Sequence, residues 1–189
     1  LHGQDLSQVL REGALPWSRA GWIILQVVRA FAAIHDKGIV HRDIKPANCF
    51  LVAPKPGDDP DFVKILDFGI ANLQDQDKNT ALTAASDIIG SVRYMAPEQA
   101  SADHVDARTD IYSLGIMMYE LLTGQVPFRE SNVFKVMIQH QHEVPRPPRE
   151  LVPEIPVEVE AIILRAIAKA PEDRFPSSKE LEAELMRAM

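Results

Sequence analysis

The run His41-Arg42-Asp43-Ile44-Lys45-Pro46-Ala47-Asn48, with Asp67-Phe68-Gly69 downstream, holds the side chains of this sequence best suited to chemistry. An ionised Asp43 is purely a hydrogen-bond acceptor, able to take or orient the proton of an attacking hydroxyl. Lys45 follows two residues later. In an extended loop its ammonium falls on the same side, where it can neutralise charge on a transferring phosphate. Pro46 disfavours helical geometry at Lys45 and keeps the loop extended. Asn48 offers a neutral carbonyl oxygen and Asp67 an anionic one. Such hard oxygens suit magnesium, which prefers about six oxygens at roughly 2.1 Å and keeps several positions for water and phosphates. A lone Asp would be a turn cap and a lone Lys a solvated charge, but the whole run suits group transfer at a metal-bound phosphate.

Periodicity predicts the elements that must position these groups. Leu6, Val9 and Leu10 suggest a short helix, and Gly13 and Pro16 mark a connection. From Trp17 to Lys37, Ile24, Val27, Val28, Phe31 and Ile34 recur at helical spacing, and Gly38 ends the helix. Cys49 to Val52 and Phe62 to Leu66 read as strands of a hairpin, joined by a Pro- and Asp-rich turn. From Asp67 to Glu98 periodicity fades, as in long loops that are functional or disordered. Ile111 to Leu122 is apolar nearly all round, the pattern of a buried central helix capped by Gly124, with Met117 and Met118 as core packing. Further helices are expected at Asn132 to His140, Val157 to Lys169 and Ser178 to Met189, with a Pro-rich stretch from Val144 to Pro156 between the first two.

At 189 residues the chain fits one domain with a continuous core. Twenty Lys and Arg against 27 Asp and Glu give a net charge of -7, which argues against broad nucleic-acid binding. A single cysteine, Cys49, excludes an intrachain disulfide and a multi-cysteine zinc site, and fits a reducing compartment. It reads as a small core residue. No apolar stretch approaches the roughly 20 residues that span a bilayer. No membrane contact is expected from this segment and a cytoplasmic location is expected, with membrane anchoring of a longer parent left open.

Three motifs in order, the catalytic run, Asp67-Phe68-Gly69 and Ala96-Pro97-Glu98, resemble the C-terminal lobe of a serine/threonine protein kinase. Gly124-Gln125-Val126-Pro127-Phe128 and Ala170-Pro171-Glu172-Asp173-Arg174-Phe175 fit as well. Ala96-Pro97-Glu98-Gln99-Ala100 and the run Asp106 to Gly115 have the flavour of bacterial members. Neither a Gly-rich phosphate loop nor a Val-Ala-Ile-Lys strand precedes the run within these residues. The resemblance implies a mainly α fold over residues 1–189, a kinase-like C-terminal lobe built as a helical bundle with a small β-hairpin at the catalytic cleft, its N-terminal lobe lying outside this sequence.

By the same resemblance, the γ-phosphoryl group of ATP passes to a Ser or Thr hydroxyl of a protein with the help of magnesium, in the service of signalling. Asp43 and Lys45 would be catalytic, a Lys two residues after the Asp accompanying serine/threonine specificity. Asn48 and Asp67 would hold the metal, and Phe50 would floor the adenine. Asp5 would either reach the ribose or serve as a helix N-terminal charge. His41 and Phe68 would join an apolar stack, Asp110 would hold the catalytic-loop backbone, and Glu98 with Arg174 would form a buried ion pair. In the activation segment, Ser91 would bond the catalytic Asp and Lys. Thr83 ranks first for a regulatory phosphate, ahead of Ser86 and Thr80, with Arg42 as its partner. Asn72 stands where many relatives carry a basic residue, which weakens that phosphate pocket.

Two rival readings exist. A non-catalytic docking lobe is opposed by the intact Asp43, Lys45, Asn48 and Asp67. A small-molecule phosphotransferase shares an Asp with an Asn five residues on, but Lys45-Pro46 and Ala96-Pro97-Glu98 favour a protein substrate. Alone, the chain is expected to be inactive and prone to self-association through the apolar surface at Phe50 and Phe68.

Overall fold

The computed structural model describes residues 2–54, 61–66, 90–101 and 103–189. The expectations for Asp67, Phe68, Asn72, Thr80, Thr83 and Ser86 lie outside the described residues.

Strand β1 (Gly3–Asp5) runs directly into helix α1 (Leu6–Leu10). Asp5 accepts from the Gln8 N–H at 3.0 Å while the Gln8 side chain accepts from the Asp5 N–H at 3.2 Å, a reciprocal cap for two helix-end donors. Helix α2 (Trp17–His35) follows, ending one turn before Gly38, whose φ of 72° suits glycine. Ile23, Ile24, Val27, Val28 and Phe31 form its buried stripe.

Strands β2 (Cys49–Val52) and β3 (Phe62–Ile65) pair antiparallel, Cys49 opposite Ile65 and Val52 opposite Phe62. The expected hairpin is thus present, but it is two-thirds of a three-stranded sheet of order β1-β2-β3, in which Gly3 faces Val52 and Asp5 faces Phe50. A three-residue strand carries too little alternation to be read from sequence. What makes it a strand is pairing of its backbone groups with β2. Gly3 (φ 146°) permits the close approach, since a Cβ there would meet the Leu51 carbonyl oxygen at 2.0 Å.

Helix α3 (Pro97–Ala100) precedes α4 (Ala107–Thr123). The Asp106 carboxylate caps α4 by accepting from the Arg108 N–H, and Gly124 closes it in the left-handed region at φ 74°. Leu114, Ile116, Met117 and Leu121 are fully buried, each contributing about 2 kcal/mol by leaving water. Helices α5 (Val133–His142), α6 (Val157–Ala166) and α7 (Ser178–Ala188) complete the chain, α6 packing on α4 and α7 on α2. Helix α6 stops short of the expected Lys169. The Ala168 and Lys169 carbonyls turn aside to accept from the Arg174 guanidinium at 2.8 and 2.9 Å. Among the described residues no helix is long and apolar enough to cross a membrane.

Candidate active site

The loop from His41 to Asn48 is held from beneath by one buried carboxylate. Asp110, in the first turn of α4 and fully buried, accepts from the His41 N–H and the Arg42 N–H, each at 2.8 Å. His35, the last residue of α2, places Nε2 at 2.7 Å from the same carboxylate. These donors stabilise a backbone that resists its own conformation. Arg42 has φ 69°, the one positive φ among described non-glycine residues, at a cost of about 1–2 kcal/mol. The Gln99 side chain donates to the Arg42 carbonyl at 3.0 Å and accepts from the Ala96 N–H, tying the loop to the start of α3. The His41 ring sits edge-on to Phe31, centroids 5.3 Å apart.

On this support Asp43, Lys45 and Ser91 meet. The Lys45 ammonium lies 2.9 Å from the Asp43 carboxylate and donates to the Ser91 hydroxyl at 2.7 Å. Lys45 is extended (φ -159°, ψ 158°), and Pro46 opens a single 3-10 turn, Pro46–Asn48, that swings Asn48 back toward Asp43. The Asn48 amide N–H2 donates to the Asp43 carbonyl at 2.9 Å and more weakly to its carboxylate at 3.3 Å. Burial pushes the Asp43 carboxyl upward, but Lys45 and hydrogen bonds from Ser91 and Asn48 outweigh it and leave it below the usual carboxylate range. Asp43 is therefore ionised at neutral pH. A weakly basic carboxylate is better at orienting a hydroxyl than at removing its proton early.

Of the two expected magnesium ligands, Asn48 lies among the described residues, and the chemistry of its amide suits the ion. With the Asn48 nitrogen turned onto Asp43, its carbonyl oxygen is directed away from that carboxylate as a neutral hard ligand. The chain reaches Asp67 from Leu66, whose N–H donates to the Asn48 carbonyl at 2.7 Å. Asp67 itself lies outside the described residues. When bound, magnesium would neutralise phosphate charge and orient the nucleotide.

The segment that presents Ser91 is anchored in turn. Tyr94 hydrogen-bonds through its hydroxyl to Glu120, and its carbonyl accepts from the Ser113 hydroxyl at 2.7 Å. Burial raises the Glu120 carboxyl, more than Tyr94, Arg93 and Arg129 lower it. Below, Arg174 is fully buried and grips both oxygens of Glu98, at 2.7 and 2.8 Å, while Thr109 donates to Glu98 at 2.8 Å. The same guanidinium donates to the carbonyls of Ala168, Arg108 and Lys169 and lies 4.9 Å from the Tyr112 ring centroid.

The other expected residues are placed as follows. Asp5 caps α1, its Oδ1 shared between the Gln8 N–H and the Ser7 hydroxyl. Phe50 is half-buried on the face of β2 opposite the buried Cys49 and Leu51, its ring edge against Gly3. Cys49 is a core residue whose thiol burial pushes up to about 12. Sequence reasoning missed Gln99, Ser113, His35 and Ser178 as supports of the site. Gln99 and Ser113 stood inside runs already singled out, but nothing local marked His35 or Ser178. A cavity of about 610 Å³ lined by Trp22, Gln26 and Phe62 lies elsewhere, on the outer side of α2. Its Arg19 is already paired with Asp61 and its Arg29 with Glu182.

The helical body thus seats an Asp-Lys-Ser cluster on a buried Asp and a buried Arg–Glu pair. The protein kinase domain model matches residues 1–186, and the chain belongs to that family. It is 40% identical over 190 residues to probable serine/threonine-protein kinase CE0033 of Corynebacterium efficiens, covering 98% of this chain and 28% of that protein. It is 42% identical over 187 residues to serine/threonine-protein kinase pkn3 of Myxococcus xanthus, covering 97% and 34%. The chain spans about a third of the length of the curated relatives it matches. Among solved structures, the PknI kinase domain of Mycobacterium tuberculosis aligns with TM-score 0.72 at 26% identity, covering 99% of this chain and 63% of that one. The relatives are serine/threonine kinases of bacterial type.

Proposed function

We propose that this chain is the catalytic, C-terminal lobe of a serine/threonine protein kinase that moves the γ-phosphoryl group of ATP to a protein hydroxyl. The observation that carries the reading is the Asp43–Lys45–Ser91 cluster, an ionised acceptor beside an ammonium, both turned to one hydroxyl-bearing segment. Asp43 orients the acceptor hydroxyl and receives its proton as the new bond forms. Lys45 neutralises charge on the transferring group, and Ser91 keeps the two side chains aligned. Asn48 and Asp67 hold magnesium. Phe50 lies beneath the adenine and Asp5 reaches the ribose through the carboxylate oxygen left free by its cap. The single buried cysteine supports a cytoplasmic setting. The cover over the nucleotide comes from residues outside this sequence, so the isolated chain has no transferase activity.

Transfer of radiolabelled phosphate by the full-length protein tests this reading. Asp43→Asn should lower kcat by orders of magnitude with KM for ATP nearly unchanged, because the lost interaction acts mainly in the transition state. Near-normal turnover in that variant would remove Asp43 from the mechanism. Calorimetric titration of the isolated chain with magnesium-ATP should show weak binding at most. Micromolar affinity with turnover would place the nucleotide site wholly within these residues.

A further inference from the structure

Ser178, the first residue of α7, is far in sequence from the His41–Asn48 loop and is 1% exposed. Its hydroxyl lies 2.9 Å from His35 Nδ1, and His35 Nε2 lies 2.7 Å from Asp110. Asp110 in turn receives the N–H groups of His41 and Arg42, the two residues that lead into Asp43. We propose that Ser178 is a positioning residue for the catalytic loop, acting through His35 and Asp110 on the backbone of His41 and Arg42.

The chemistry of the ring carries the argument. Asp110 is an acceptor, so His35 must present N–H at Nε2. That requirement is met only while the imidazole keeps one tautomer and one orientation. The hydrogen-bond partner at the second nitrogen sets both, and here the partner is Ser178. Without it, Nδ1 is buried and unsatisfied. Ring rotation or proton exchange between the nitrogens then turns a bare lone pair toward the carboxylate. Asp110 loses one of its three donors, and its grip on the strained Arg42 backbone loosens.

A Ser–His–Asp chain also invites a reading as a nucleophilic triad. Two observations exclude it. Ser178 is sealed from solvent, and it contacts Nδ1 while Asp110 takes Nε2, the reverse of the arrangement in which the carboxylate holds Nδ1 and the hydroxyl faces Nε2. The relay therefore orients a loop. It also ties the C-terminal helix to the active site, since α7 already lies against α2 through the Arg29–Glu182 and Lys179–Asp36 pairs.

The catalytic consequence rests on the kinase reading, whereas the mechanical one does not, and the test separates them. Amide hydrogen exchange is measured in the full-length protein as wild type and as Ser178→Ala, Ser178→Thr and Ser178→Val. Ser178→Ala and Ser178→Val should speed exchange at the His41 and Arg42 amides roughly ten-fold while the α4 core amides stay unchanged. Ser178→Thr, which keeps the hydroxyl, should match wild type, and the side-chain nitrogen signals of His35 should move only in the variants lacking a hydroxyl. In the phosphate-transfer assay the same two variants should lose several-fold in kcat at constant KM for ATP. Unchanged exchange at His41 and Arg42, or an equal rise throughout the lobe, overturns the proposal. If the wild type transfers no phosphate, the kinase reading fails while the exchange result still judges the relay.

Discussion

Arg174→Ala should be among the most damaging single truncations in the chain. In the structure the Arg174 guanidinium holds both oxygens of Glu98 and three backbone carbonyls, with no exposed side-chain surface. Removing one partner of a buried pair costs about 3–5 kcal/mol because the other charge stays behind. The Ala168, Arg108 and Lys169 carbonyls also lose a charged donor, and water entering the vacated space offsets part of that loss. A total of roughly 5–7 kcal/mol follows, against about 5–15 kcal/mol for the whole stability of such a domain. At about 2–4 °C per kcal/mol for a chain of this size, Tm should fall by roughly 10–28 °C. Urea titration followed by Trp17 and Trp22 fluorescence, together with a thermal scan, measures both quantities. The double variant Glu98→Gln, Arg174→Met should recover a large share, giving a coupling energy of at least about 2 kcal/mol. The pH dependence has a definite sign. Burial raises the Glu98 carboxyl, but Arg174, backbone N–H and Thr109 together leave it below its ordinary value. The wild-type contribution is therefore complete above the ordinary Glu range and is lost as pH falls through the depressed folded value. In Arg174→Ala the stranded carboxylate reverses that trend, and its deficit should narrow on acidification. A loss under 1 kcal/mol at neutral pH would refute the reasoning.

Gly115→Ala should destabilise by about 1–3 kcal/mol despite better helix propensity, because its Cβ would meet Ile167 Cγ2 at 2.6 Å and Ala166 Cβ at 2.8 Å; denaturation midpoints would show it. His140 is fully buried, and burial first, then Lys169, lowers its pKa to about 3. With the folded value depressed, its stabilising effect is present above the ordinary His range and is lost as pH falls, at about 1.4 kcal/mol per unit between roughly pH 6 and 5. His140→Phe should flatten that part of the stability curve, and an unchanged slope would clear His140 of the effect. Phosphate in active protein should map by mass spectrometry between Thr80 and Ser86, with Thr83 the main site. Full activity of the triple variant with alanine at Thr80, Thr83 and Ser86 would show the modification to be dispensable.

Local chemistry was legible in the sequence wherever it depends on neighbours along the chain. Asp43, Lys45 and Pro46 stand so close that an extended loop suffices to bring the two charges together, and the structure has Lys45 extended with its ammonium 2.9 Å from the Asp43 carboxylate. The central helix was readable because apolar residues on every side of Ile111 to Leu122 leave burial as its only stable fate, and Gly124 supplies the left-handed cap. The third strand was not readable, since Gly3–Asp5 owes its conformation to pairing with β2 rather than to any pattern of its own. Nor was the early end of α6, beyond which an arginine side chain holds the Ala168 and Lys169 carbonyls. Of the supports of the site, Asp110 was expected through the family resemblance, whereas Ser178 and His35 were not, since before folding each is an ordinary polar residue and the three are spread over most of the chain. Only the packing of α7 and α4 against α2 removes the water that would otherwise satisfy them, leaving each to find its partner in the other two.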